Sequence, residues 1–86
     1  MPVSSMDVVE RIARVIAARV LSINAEGEDA SASDEVDRAW PEFQADAVAI
    51  LKTLREPDPA MAEAGDLATW QRMIEAALAE TRAPTL

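Results

Sequence analysis

Apolar residues recur at every third or fourth position in three separate segments of the chain. This spacing follows the 3.6 residues of one α-helical turn, so it predicts amphipathic helices, and no segment shows the alternation typical of a strand. We predict main helices over residues 5–23, 41–55 and 67–81 and a short helix over 59–64. The predicted fold class is all-α, a compact bundle of three main helices plus one short helix, in a single domain over residues 1–86.

Capping residues fix several of the predicted helix boundaries. Ser4 or Ser5 can cap the first helix, and Asp58 can cap the short helix because Pro59 then takes the first helical position, where a proline costs little. Asp66 can cap the last helix, since Gly65 before it ends the short helix. The segment between the second and last main helices is therefore a corner inside one domain.

The start of the second main helix depends on Pro41. An apolar stripe crosses this proline without a break, and it consists of Val36, Trp40, Phe43, Ala47, Leu51 and Leu54. A proline inside a helix loses a hydrogen bond and clashes with the preceding turn, at about 3 kcal/mol. We therefore predict a helix that begins at Pro41, preceded by a turn or short helix over residues 34–39 that Ser33 can cap; one helix kinked at Pro41 is the alternative.

Alanine is the most frequent apolar residue, and Trp40, Phe43 and Trp70 are the only aromatic residues. Each helix therefore offers a shallow apolar face, which favours close helix approach and a modest core, and a homodimer is an alternative to a monomer. We predict that the three aromatic side chains belong to the core rather than to an exposed anchor. The other predicted core stripes are Val8, Ile12, Val15, Ile16, Val20 and Ile23 in the first helix and Leu67, Trp70, Met73, Ile74, Ala77 and Leu78 in the last.

The chain has no cysteine and no histidine, which excludes disulfides, thiolate and imidazole nucleophiles and the usual zinc ligands. We therefore predict that the protein is not an enzyme and uses no cofactor or metal. A carboxylate-metal hydrolase is the alternative, because the pairs Asp34–Asp37 and Glu63–Asp66 have the spacing of helical Mg²⁺ ligands. Neither pair lies in the middle of a predicted helix, which disfavours that alternative.

The net charge is −8, and residues 24–46 alone carry −7. Such a charge repels nucleic acid and anionic membranes and attracts basic protein surfaces. We predict no direct nucleic-acid binding and no membrane span, and a cytoplasmic location, because the first residues include carboxylates that a targeting peptide would lack. The basic residues Arg11, Arg14 and Arg19 of the first helix form either a solvated face or an intramolecular match to the acidic region.

The predicted acidic loop, residues 24–37, carries most of that charge. If Gly27 is the sixth residue of a calcium loop, Ser22 and Ser33 fall at the two anchoring positions, so the loop is not an EF-hand. The sequence leaves three interpretations of this loop open. It is a partner-binding surface, a solvated connector, or a segment that weakly attracts divalent ions to Glu26, Glu28, Asp29 and Asp34.

The second half of the chain carries a pattern beyond periodicity. Trp40, Phe43, Ala47, Leu51, "LREP" at 54–57, Met61, "AG" at 64–65 and "WQRMIEAAL" at 70–78 follow one another along it. The pattern resembles small helical proteins of bacterial genomes and their prophages. The resemblance implies a helical scaffold without catalytic residues and a phage-like setting, in which an inhibitor of a host nucleic-acid-binding defence complex, such as an anti-CRISPR protein, has a similar size and charge.

Charge and resemblance together predict a non-catalytic protein that acts by protein–protein interaction. Its acidic surface would occupy a basic surface of a partner protein and so inhibit a host nucleic-acid-binding defence complex. The alternative is a structural or regulatory helical module that self-associates or binds a partner through an apolar face. The predicted partner-binding residues are Glu26, Glu28, Asp29, Asp34, Glu35, Asp37, Glu42 and Asp46.

Overall fold

A computed structural model describes residue 4 and the ranges 6–21 and 34–80, in which every regular element is helical. Contacts between these helices, chiefly between the first helix and those that follow, make the described part a small all-α bundle, as predicted. The elements in chain order are α1 (Val8–Val20), α2 (Asp34–Ala39), a 3₁₀ helix (Trp40–Phe43), α3 (Gln44–Leu54), α4 (Pro59–Ala64) and α5 (Leu67–Glu80).

Helix α1 begins at Val8 because Asp7 caps it. The Asp7 backbone is extended, and its carboxylate Oδ1 accepts a hydrogen bond from the Glu10 N–H at 2.8 Å. The predicted cap at Ser4 was wrong, since the Ser4 hydroxyl accepts the backbone N–H two residues later, in a turn before the helix. A carboxylate at this position also interacts favourably with the helix dipole, which favours aspartate over serine.

The end of α1 comes three residues earlier than predicted, at Val20 rather than at residue 23. The Leu21 N–H closes the last turn on the Ala17 carbonyl oxygen at 2.9 Å, and the Leu21 backbone has left the helical region. Residues 22–33 lie outside the described part of the chain, and so do the predicted Ser33 cap and most of the predicted acidic loop.

The two caps predicted in the corner are confirmed. Asp58 Oδ1 accepts the Met61 N–H at 3.0 Å, and α4 spans the predicted residues 59–64. Asp66 Oδ1 accepts the Ala68 N–H at 3.2 Å, and α5 begins directly after Asp66. Each aspartate satisfies one of the backbone donors that a helix start leaves free.

Pro41 neither begins α3 nor kinks it. It lies in the first turn of the 3₁₀ helix, which separates α2 from α3, so the prediction of a main helix from Pro41 was wrong by three residues. A proline has no N–H to contribute, and the short 3₁₀ helix accepts it near its start at little cost. Residues 34–39 form α2, which confirms the short helix predicted before the proline; residues 34–37 therefore lie on this helix and not in the acidic loop, and their carboxylates lie in a favourable first turn.

Small side chains form much of the core. Val9, Ala13, Ala47, Leu51 and Ile74 make one buried cluster between α1, α3 and α5. Ala17, Ala18 and Val36 make a second between α1 and α2. Because alanine lets two helix backbones approach closely, α1 faces the bundle with its alanines.

This arrangement corrects two of the predicted stripes. Val15 and Val20 of α1 are 54% and 59% exposed, although we placed both in the core. Leu67 and Met73 of α5 are likewise 45% and 62% exposed. The predicted stripe through the proline is largely confirmed, with the exception of Leu54, which is 38% exposed at the end of α3.

The aromatic side chains pack against the core, as predicted. Trp40 and Phe43 lie against both buried clusters and so connect them. Trp70 packs against the first cluster, and its indole Nε1–H donates to the Leu54 carbonyl oxygen at 2.7 Å. That bond joins the end of α3 to α5 and satisfies the one polar group of the indole.

Candidate protein-interaction surfaces

Four exposed carboxylates follow one another along α2, the 3₁₀ helix and α3, and we refer to Asp34, Glu35, Glu42 and Asp46 as the acidic surface. None of the four forms an ion pair with another residue of the described part of the chain. Glu35 and Glu42, seven residues apart, both line a shallow depression beside Leu21. The predicted surface is thus partly assembled on helices rather than on a loop.

The acidic surface also contains a positive charge. Arg38 lies between Glu35 and Glu42 in the same depression. Residues 34–46 nevertheless hold five carboxylates and only this one basic side chain. The local excess of negative charge therefore persists, although it is not uniform.

Asp37 differs from the other predicted partner-binding residues because it is already paired. Its Oδ1 accepts a hydrogen bond from the Arg14 guanidinium at 2.6 Å, across 23 positions of sequence. Arg14 Nε also donates to Glu10 Oε2 at 2.9 Å, and the guanidinium carbon lies 5.7 Å from the centre of the Trp40 ring. Arg14 thus links α1 to α2 and to the 3₁₀ helix, and we name these four residues the Arg14 network.

The network explains what one of the three arginines of α1 does. The Arg14 side chain is only 16% exposed, and the hydrogen bonds to Asp37 and then to Glu10 raise the pKa of its guanidinium above the ordinary value. Arg14 therefore stays charged throughout the usual pH range. It forms an ion pair with Asp37 of the acidic region, which is one of the two roles that we predicted for the arginines of α1. Arg11 and Arg19 are exposed.

Glu26, Glu28 and Asp29, the remaining predicted partner-binding residues, lie outside the described part of the chain. Among the described residues, no group of three or more acidic side chains is arranged to hold a metal ion. The predicted divalent-ion attraction at the acidic loop concerns residues of which the structure gives no description, apart from Asp34.

An apolar groove between α4 and α5 is a feature that the sequence reasoning missed. Its volume is about 370 Å³, and its lining includes Pro57, Met61, Ala64, Leu67, Trp70 and Met73. Met73, which we placed on the core stripe of the last helix, lines this groove instead. The available signal was the sequence of the short helix, PAMAEA, in which methionine is the only large apolar side chain.

No protein-family model matches the chain, and no curated protein or solved structure is significantly similar to it. The resemblance to prophage-encoded proteins therefore stays a prediction. Of the helices in the described ranges, none is long and apolar enough to cross a membrane.

Proposed function

We propose that this protein is a non-catalytic binding protein whose acidic surface occupies a basic surface of a partner protein. The observation that carries the proposal is the set of four exposed carboxylates on α2, the 3₁₀ helix and α3 that form no ion pair with any residue the structure describes. Glu26, Glu28 and Asp29 extend the same negative charge along the sequence. A partner surface that otherwise holds nucleic acid has the complementary charge.

The position of these carboxylates supports the proposal. The Arg14 network joins α2 and the 3₁₀ helix to α1, and Val36 of α2 is fully buried against Ala17 and Ala18. Charges on packed helices lose less conformational freedom on binding than charges on a loop. A partner would therefore meet an acidic surface that is largely preorganised.

Complementary charge would mainly raise the rate at which the two proteins associate. Opposite potentials speed association and exclude partners of the wrong sign, and salt screens them over about 8 to 10 Å. By occupying the basic surface the protein would compete with nucleic acid. An inhibitor of a nucleic-acid-binding defence complex, in the phage-like setting that the sequence resemblance implies, would work in this way.

The test compares two variants of equal net charge. The first neutralises the acidic surface with Asp34→Asn, Glu35→Gln, Glu42→Gln and Asp46→Asn. The matched control removes the same charge elsewhere with Glu56→Gln, Glu63→Gln, Glu75→Gln and Glu80→Gln. Glu56 and Glu63 lie in or beside the segment that lines the α4–α5 groove, so this control also reports capture through the groove. Wild type and both variants are immobilised, host lysate is passed over them, and captured proteins are eluted with increasing NaCl and identified.

We expect wild type and the control to retain the same basic protein, released by salt and by added DNA, and the acidic-surface variant to lose it. Circular dichroism checks that all three chains hold equal helix content. Equal capture by the acidic-surface variant, or capture that DNA does not compete, would reject the proposal. Loss of capture in the control variant alone would move the binding site away from α2 and α3.

A further inference from the structure

The groove between α4 and α5 exposes large apolar side chains at a single place. Met61, Leu67 and Met73 are 38%, 45% and 62% exposed and line it together with the partly buried ring of Trp70. Exposed apolar side chains that share one concave site mark interaction surfaces more often than isolated ones do. The groove lies on α4 and α5 and shares no lining residue with the acidic surface.

The polar groups at the groove are already used by the fold. Asp66 Oδ1 accepts the Ala68 N–H, and Asp66 Oδ2 accepts the Thr69 hydroxyl at 2.6 Å. The Trp70 indole N–H donates to the Leu54 carbonyl oxygen. A small-molecule site normally adds a few free polar groups that orient the ligand. This groove offers apolar surface instead, which suits the side chains of another protein.

The charge around the groove restricts what that protein can be. Residues 56–73, which include the whole lining, contain four carboxylates and one basic residue, Arg72, whose guanidinium donates to the Thr69 hydroxyl oxygen at 3.2 Å. All four, Glu56, Asp58, Glu63 and Asp66, are exposed. Asp66 lines the groove, and the other three adjoin lining residues in the sequence. Four carboxylates against one arginine leave an excess of three negative charges, which favours a cationic occupant.

We infer that the α4–α5 groove binds a cationic amphipathic helix of a partner protein, with its apolar residues in the groove and its lysines or arginines facing the surrounding carboxylates. Methionine suits this use, because its flexible, polarisable side chain adapts to anchors of different shape. A second copy of this chain fits less well, since a symmetric pair of grooves would bring equal negative charges together. The inference stands independently of the acidic surface.

The probe is a fluorescein-labelled peptide of leucine and lysine with helical periodicity and about 16 residues, long enough to form a helix on binding. Two control peptides accompany it: one has the same composition with the periodicity removed, and the other has glutamate in place of lysine. Fluorescence anisotropy measures the affinity of each for the full chain. We expect only the cationic, periodic peptide to bind.

The decisive variant is Met61→Gln with Met73→Gln, which keeps the side-chain length and removes the apolar anchors. Val15→Gln is the matched control, because Val15 is an apolar side chain of similar exposure on α1, away from the groove. We expect the double variant to weaken peptide binding by about tenfold or more and the control to leave it unchanged. Both should melt at the wild-type temperature, as expected for exposed positions.

Backbone amide shifts of the ¹⁵N-labelled protein locate the peptide. We expect changes confined to residues 57–73, and the same changes in the variant that neutralises the acidic surface. Equal binding of the three peptides, equal affinity of the Met61→Gln, Met73→Gln variant, or shifts centred on α2 and α3 would each overturn the inference. Sedimentation tests whether a second copy of the chain fills the groove instead. A dimer that the Met61→Gln, Met73→Gln variant abolishes would also overturn the inference.

Discussion

Replacing Arg14 by alanine tests how the acidic part of the chain is joined to the bundle. The substitution removes the 2.6 Å ion pair with Asp37, the 2.9 Å pair with Glu10 and the contact with the Trp40 ring. A partly buried, hydrogen-bonded ion pair contributes about 1 kcal/mol, a helical pair four residues apart about 0.3 to 0.5, and an arginine over a ring about 0.5 to 1. We expect a loss of about 2 kcal/mol.

That loss is large for a chain of this size. Domains of 60 to 100 residues lose roughly 4 to 8 °C in melting temperature per kcal/mol, so Arg14→Ala should melt about 8 to 16 °C below wild type. Arg11→Ala is the control, because Arg11 is an exposed arginine of the same helix. Its loss should not exceed about 0.5 kcal/mol. Thermal unfolding followed by circular dichroism at 222 nm measures both.

The contribution of the ion pair is isolated by a double-mutant cycle with Arg14→Ala and Asp37→Asn. We expect a coupling free energy of about 1 kcal/mol at low salt, decreasing in about 1 M NaCl because one partner is half exposed. The pKa of Arg14 is raised above the ordinary arginine value, so Arg14 stays charged throughout the usual pH range and its titration adds no pH dependence there. Equal melting of the two arginine variants, or a coupling below about 0.2 kcal/mol, would show that the Arg14 network does not stabilise the packing of α2 on α1.

Four further substitutions test the packing. Ala13→Leu should cost about 1 to 3 kcal/mol in urea unfolding, because Ala13 is fully buried where α1 meets α3; a neutral result would contradict that close approach. Leu51→Ala should lower the urea midpoint by the equivalent of about 2 to 5 kcal/mol. Val15→Gln should leave stability within about 0.5 kcal/mol, and a large loss would return Val15 to the core. Trp70→Phe should cost about 1 kcal/mol by calorimetry through the lost bond to the Leu54 carbonyl, and an unchanged melting temperature would exclude that contribution.

The helical elements were predictable because local chemistry specifies them. Asp58 followed by Pro59 determines the start of α4, and Asp66 determines the start of α5. The 3.6-residue period then identifies the fold class without any knowledge of tertiary contacts. The start of α1 was misplaced because Asp7 rather than Ser4 caps it, and the start of α3 was misplaced because Pro41 lies in a separate 3₁₀ helix.

The buried face of α1 was not predictable from hydrophobicity. The largest apolar residues suggested a stripe that includes Val15, yet the bundle buries Ala13 and Ala17 completely. Close helix approach selects small side chains, and the choice depends on what the facing helices offer. Ala13 of α1, for example, lies in the same buried cluster as Ala47 of α3, which is also fully buried.

The candidate surfaces were predictable to different degrees. Charge alone indicated the acidic surface, because it depends on sequence counts and not on packing. The ion pair between Asp37 and Arg14 depends on how α2 packs on α1. The sequence therefore could not show that Asp37, unlike the acidic surface, is already paired. The groove arises because α4 contributes no buried side chain to the core. Met61 of α4 and Met73 of α5 therefore both line the groove and remain exposed.

The affinity of the captured partner as a function of salt tests the central claim most directly. Isothermal titration of wild type, the acidic-surface variant and the equal-charge control is carried out with that partner at several NaCl concentrations. We expect an affinity that falls steeply with salt for wild type and control, and a weak, nearly salt-independent affinity for the acidic-surface variant. The same affinity and the same salt dependence for all three proteins would contradict it.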